Sequence, residues 1–108
     1  MPSVLEARDA RPTEPAAPAD LRGELLLLAQ AQRARAHGDP ARALASLREH
    51  ARRFPHGQLS AEREAARVLA LRALGRDAEA NHAQARFLSH HPNSPLAARL
   101  SSGTVLRN

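Results

Sequence analysis

Apolar residues recur every three to four positions through the middle of the chain, which is the spacing of one face of an α-helix. The clearest stripe consists of Leu44, Leu47, Ala51 and Phe54. Residues 68–74 are apolar at every position except Arg72. A helix that is apolar on several sides is buried on several sides, so this segment predicts the central helix of the fold. We expect a charge placed at Leu69 or Leu74 to damage the fold most.

Glycine, proline and capping residues divide this region into five predicted helices. Gly38-Asp39-Pro40 supplies a left-handed residue after one helix, then an N-cap and a first helical position for the next. The predicted helices run from Asp20 to about His37, from Pro40 to about Arg53, from a cap at Ser60 to just before Gly75, from about Asp77 to His90, and from Pro95 to near Leu100.

The helix-ending residues repeat along the chain. A shift of 37 residues places Gly38 on Gly75 and Pro55 on Pro92. One unit therefore consists of a helix, a glycine turn, a second helix and a proline turn. This repeat predicts an all-α fold of stacked helical hairpins.

The repeated residues resemble the second helix of tetratricopeptide repeats (TPRs). They are Gly38, Ala43, Leu47 and Pro55 in one unit and Gly75, Ala80, Phe87 and Pro92 in the next. Residues 75–95 are similar to the longer-period variant of bacterial outer-membrane assembly lipoproteins and Tol-Pal-associated periplasmic proteins, although the large aromatic residues usual in the first helix are missing. The resemblance implies a short α-solenoid of two TPR-like hairpins plus a partial fifth helix. It also implies a non-enzymatic protein–protein interaction module, a scaffold or adaptor, or the C-terminal interaction tail of a bacterial envelope protein or regulator.

In TPR arrays the first helix of each hairpin lines the concave face. The resemblance therefore implies partner-binding positions at Gln32, Arg35, Glu62, Leu69 and Arg72. Arg35 and Arg72 are equivalent positions, and two guanidinium groups facing one groove would suit an acidic segment or a C-terminal carboxylate. The alternative is that both arginines are solvated and keep an alanine-rich helix soluble.

Composition limits the chain to one small domain. It has 108 residues, no cysteine and 24 alanines, but only 21 Leu, Val and Phe residues together. We expect residues 1–19, with four prolines, to form a linker or tail, residues 20–100 to form the repeat domain, and residues 101–108 to fray. Two hairpins bury little apolar surface, so we expect self-association, docking on a partner, or membership of a longer solenoid.

The charge of the chain leaves one alternative open. All 16 basic residues are arginine, and the formal net charge is +5. Abundant Ala, Arg, Leu and Pro without Lys or Ile is typical of a GC-rich bacterial gene. A basic protein associated with nucleic acid is the alternative, although interleaved acidic residues and a shortage of aromatic residues disfavour it.

No pattern of residues indicates catalysis. The six histidines lack the spacing of four that a helix-borne metal pair needs, and we expect them to be exposed. Neither a nucleophile elbow nor a glycine-rich phosphate loop is present. We therefore predict no enzyme activity, cofactor, metal site or small-molecule substrate. The longest apolar run, residues 25–29, is too short to cross a membrane, and no signal peptide is evident, which favours the cytoplasm; the periplasm is the alternative if a membrane segment precedes the chain.

Overall fold

The computed structural model describes the backbone of residues 18–106 and the side chains of residues 20–100. All regular structure in this range is helical, which confirms the all-α prediction. The helices are α1 (Pro18–Ala36), α2 (Pro40–Arg53), α3 (Ser60–Ala73), α4 (Asp77–His90) and α5 (Pro95–Leu106). Most of the predicted linker, residues 1–17, and the end of the predicted tail, residues 107–108, lie outside the described residues.

The two glycine turns have the same backbone conformation. Gly38 and Gly75 both have φ +78°, the left-handed region that a side chain disfavours. Each donates a backbone hydrogen bond of 3.0 Å to the carbonyl three residues earlier, Arg35 or Arg72. These turns fold each unit into a hairpin, as the repeat predicts.

Three helix ends differ from the predicted ones. α1 begins at Pro18, so Asp20 lies in its first turn instead of capping it. The N-cap of α3 is Leu59, and the hydroxyl of Ser60 donates 2.8 Å to the carbonyl of Gly57. The structure continues α5 to Leu106, beyond the point where the apolar pattern ends. Local sequence leaves such ends ambiguous because several neighbouring residues can cap or extend a helix.

The central position predicted for the third helix is confirmed. α3 contacts all four other helices, and α1 and α5 both pack against it. Among the described helices α2 and α4 do not touch each other. The odd-numbered helices therefore form one continuous layer, and the even-numbered helices flank it.

The prediction about Leu69 and Leu74 is wrong. Leu74 is 36% exposed at the C-terminal end of α3, and Leu69 is only partly buried. The buried residues of this segment are Val68, Ala70 and Leu71, each at most 1% exposed. An unbroken apolar run does not reveal where the helix ends, and the turn at Gly75 carries Leu74 out to solvent.

Candidate functional site

A groove of about 270 Å³ crosses the layer of odd-numbered helices. α1 contributes Gln32 and Arg35, α3 contributes Glu62, Ala65, Ala66 and Leu69, and α5 contributes Leu96, Arg99 and Leu100. Three helices that are separated in sequence therefore form one concave surface. Its lining combines four polar or charged side chains with five aliphatic ones.

Four of the five predicted partner-binding residues line this groove, and Arg72 does not. The Nη2 of Arg72 instead donates 2.6 Å to Oε1 of Gln84 on α4. Arg99 supplies the second guanidinium group of the groove. The repeat contains a signal for this residue, because Arg99 follows Glu62 by 37 positions and so takes the same place on the next first helix.

The two arginines of the groove differ in their surroundings. Arg35 is half-buried, and its Nη2 donates 3.3 Å to Oε1 of Gln32 one turn earlier. Arg99 is exposed on α5, on the other side of the groove. Glu62 is the one carboxylate among the lining residues, so the groove carries a net charge of +1. Leu69 and Leu96, both partly buried, leave apolar surface between the charges.

A buried polar cluster lies at the junction of α1 with the turn between α2 and α3. Glu24 and His50 are both 0% exposed. Oε1 of Glu24 accepts hydrogen bonds of 3.0 Å from His50 Nε2 and 3.0 Å from the backbone N–H of Leu59. Its Oε2 accepts 3.2 Å from the N–H of Gln58. One carboxylate thus attaches α1 to both α2 and the start of α3.

The hydrogen bonds of His50 indicate that the ring is neutral. Nε2 faces the carboxylate of Glu24, while Nδ1 lies 3.2 Å from Nη1 of Arg63, a group that can only donate. Nε2 therefore carries the proton, and Nδ1 accepts. Burial lowers the pKa of His50, and the charge of Arg63 acts in the same direction, against the opposing effect of Glu24.

The prediction that all six histidines are exposed is wrong for His50. Its position already contained a signal, since it lies three residues after Leu47 and four before Phe54 on the apolar stripe of α2. The signal for Glu24 is weaker, because a single carboxylate before four leucines gives no indication of its partners.

Two glycines allow the junction to close. A Cβ atom on Gly57 would overlap the carboxylate of Glu24, and one on Gly23 would lie 2.9 Å from Cζ of Phe54. No described side chain leaves a buried polar atom without a hydrogen bond. The cluster is therefore closed to solvent, and it holds α1, which carries Gln32 and Arg35, beside α3.

Comparisons with protein-family models, with curated proteins and with solved structures give no match to this chain. None of the helices within residues 18–106 combines the length and apolar character needed to cross a bilayer. In the same part of the chain, no three His, Cys, Asp or Glu side chains come together in a way that could hold a metal ion.

Proposed function

We propose that this chain is a non-enzymatic protein–protein interaction module that binds a peptide segment in the groove across α1, α3 and α5. The observation that supports this proposal is the convergence of Gln32, Arg35, Glu62 and Leu69, from two hairpins, on one concave surface. The resemblance to TPRs implies a binding face on the first helix of each hairpin. The 37-residue repeat of the glycine turns is consistent with that reading.

The lining residues suit a segment with one apolar side chain and nearby acidic groups. Leu69 and Leu96 offer the apolar surface. Arg35 and Arg99 lie on opposite sides, and a guanidinium group binds a carboxylate through two parallel hydrogen bonds. Glu62 adds selectivity, because its carboxylate repels a uniformly acidic segment and can accept a hydrogen bond from a basic or hydroxyl group of the peptide.

The buried polar groups support a structural role for the junction. Glu24 and His50 have the residue types used in acid–base catalysis, but both are 0% exposed and hydrogen-bonded to protein groups. A general acid or base must reach its substrate within hydrogen-bonding distance. The closed junction offers no such access, so we assign these residues to positioning α1.

Peptide selection tests the proposal. A random peptide library displayed on phage is selected against the full chain, and the best peptide is measured by fluorescence anisotropy. We expect enrichment of segments that pair an apolar residue with Asp, Glu or a C-terminal carboxylate. The double variant Arg35→Gln/Arg99→Gln should bind at least about tenfold more weakly, because charge-assisted hydrogen bonds contribute about 1.5–3 kcal/mol each.

The matched control is Arg67→Gln/Arg86→Gln, which removes the same charge from a surface outside the groove. This control should bind the selected peptide within about twofold of the unmodified chain, since it retains every lining residue. An equal loss of affinity in both variants would overturn the groove assignment and indicate a general effect of net charge.

A further inference from the structure

A second concave site lies between α3 and α4, with no lining residue in common with the groove. Its volume is about 210 Å³, and its lining residues are Arg63, Glu64, Arg67, Ala83 and Arg86. The lining therefore contains three guanidinium groups and one carboxylate. Arginine carries a planar set of donors that matches the oxygens of phosphate as well as those of carboxylate.

Glu64 does not balance this charge. Its Oε2 lies 3.9 Å from Nη2 of Arg63, and its Oε1 lies 3.9 Å from Nδ1 of His90 and 3.9 Å from Nε2 of His91. Contacts of this length are at the outer limit for an ion pair, and several groups share the one carboxylate. With the histidines neutral, three arginines and one glutamate leave the pocket with a net charge of +2.

Arg67 and Arg86 have donors available for a ligand. Within residues 20–100 neither guanidinium makes a hydrogen bond or a salt bridge to another side chain, and both residues are exposed. The carboxylate of Glu79 attracts Arg67 electrostatically, but both of its oxygens already accept hydrogen bonds of 2.8 Å from Arg76. Two cationic donor groups therefore face the pocket from different helices.

Arg63 is held in place before any ligand binds. Its side chain is 13% exposed, and its Nη1 contacts His50 Nδ1 at 3.2 Å and the carbonyl of Phe54 at 3.3 Å. A fixed and partly desolvated guanidinium loses little freedom on binding and interacts more strongly with an anion than an exposed one does. Ala83 adds only a methyl group to the wall, which leaves room for the ligand between the arginines.

We propose that this pocket binds a compact phosphate-type oxyanion, with Arg63 as the fixed donor and Arg67 and Arg86 closing on it. Either a free phosphate ion or a phosphorylated side chain of a partner protein could supply this group. The site lies outside the proposed peptide groove, and its assignment does not depend on that function.

Nuclear magnetic resonance of the full ¹⁵N-labelled chain tests the proposal at constant ionic strength. Inorganic phosphate and O-phosphoserine are titrated separately, and the Nε–Hε signals of the arginines are followed. We expect saturable shifts at Arg63, Arg67 and Arg86. The variant Arg67→Gln/Arg86→Gln should bind at least about tenfold more weakly, whereas Arg35→Gln/Arg99→Gln should stay within about twofold of the unmodified chain.

Both probes saturating with similar affinity would support a free ion as the ligand, and tighter binding of O-phosphoserine would support a phosphorylated side chain. Shifts that do not saturate, or an equal loss in the two variants, would overturn the proposal and leave a general basic surface. Each double variant is the control for the other site. Failure of the oxyanion site can therefore be distinguished from failure of the peptide groove.

Discussion

The turns at Pro55 and Pro92 have the same backbone hydrogen bond, but they bury different aromatic side chains. After α2, the N–H of Phe54 donates 2.7 Å to the carbonyl of His50; after α4, the N–H of His91 donates 2.8 Å to that of Phe87. Each pair lies 37 residues from the other. The order of the two rings is reversed, so that His50 is buried in the first turn and Phe87 is buried in the second, both at 0% exposure.

The identity of the buried ring determines whether the turn needs hydrogen-bonding partners from other helices. His50 and Phe54 have ring centroids 5.6 Å apart, and Phe87 and His91 have theirs 5.1 Å apart, so the packing of the rings is similar. A buried histidine needs partners for both nitrogens, and Glu24 and Arg63 provide them. A buried phenylalanine needs none. At the position 37 residues after Glu24, the second unit has Ala61.

This difference teaches that one backbone turn can be stabilised either by a hydrogen-bonded cluster or by an aromatic side chain. The polar version joins three helices through directional bonds, so it fixes α1, which carries Gln32 and Arg35 of the groove, against α3. Such a cluster is sensitive to the loss of any single member, because each loss leaves buried groups unpaired. The apolar version responds mainly to changes in volume.

The largest loss of stability is expected for Glu24→Ala. It removes the acceptor for His50 Nε2 and for the N–H groups of Gln58 and Leu59. We expect the free energy of unfolding to fall by about 3–5 kcal/mol, because three donors lose their acceptor and each buried donor left unsatisfied costs about 1–3 kcal/mol. Urea denaturation followed by circular dichroism measures it. The control Glu64→Ala removes a carboxylate with 3.9 Å contacts and should cost less than about 1 kcal/mol.

A smaller loss is expected for Gly57→Ala. The new Cβ would overlap the Glu24 carboxylate, which three hydrogen bonds hold in place, so overpacking should cost about 1–3 kcal/mol. The second turn tolerates a side chain at the equivalent position, Ser94. In a Glu24→Ala background the added methyl group should cost much less. Equal costs in both backgrounds, measured by the same denaturation, would show that the overlap is not the cause.

The free energy of unfolding is expected to fall gradually as the pH is lowered. Because the pKa of His50 lies below its ordinary value of 6.5 in the folded state, the unfolded chain binds more protons than the folded chain as the pH falls. The stabilising contribution is therefore complete above pH 6.5 and lost as the pH drops towards the lowered pKa. Urea denaturation across this interval checks it, and the variant Glu24→Ala/His50→Phe should lack this pH dependence.

The smallest expected loss of stability concerns the N-cap residues that follow Gly38 and Gly75. Asp39 caps α2 by accepting 3.1 Å from the N–H of Arg42, whereas the equivalent N-cap of α4, Arg76, makes no side-chain cap. Asp39→Ala should cost about 0.5–2 kcal/mol. Arg76→Ala should cost less, because it breaks only exposed hydrogen bonds to Glu79. Thermal melts of the two variants rank them, and the reverse order would show that the cap does not matter.

The parts of the fold that depend on local sequence could be predicted. Left-handed glycines and an N-cap aspartate act over a few residues, so the helices and the turns at Gly38 and Gly75 follow from the pattern. Four of the five residues that the TPR resemblance implied line the groove. The polar junction could not be predicted, because Glu24 and His50 are 26 positions apart and their contact exists only once α1 packs on α2. The hydrogen bond from Arg72 to Gln84 could not be predicted for a similar reason, since Gln84 belongs to another helix.

A double-mutant cycle of Glu24→Ala, His50→Phe and the combined variant tests the central comparison most directly. The combined variant places alanine and phenylalanine at positions 24 and 50, as the second unit has at the equivalent Ala61 and Phe87. If the two side chains act as one hydrogen-bonded unit, the combined loss of unfolding free energy should be smaller than the sum of the single losses, by about 0.5–3 kcal/mol. Strictly additive losses would contradict the account, because Glu24 and His50 would then stabilise the junction independently.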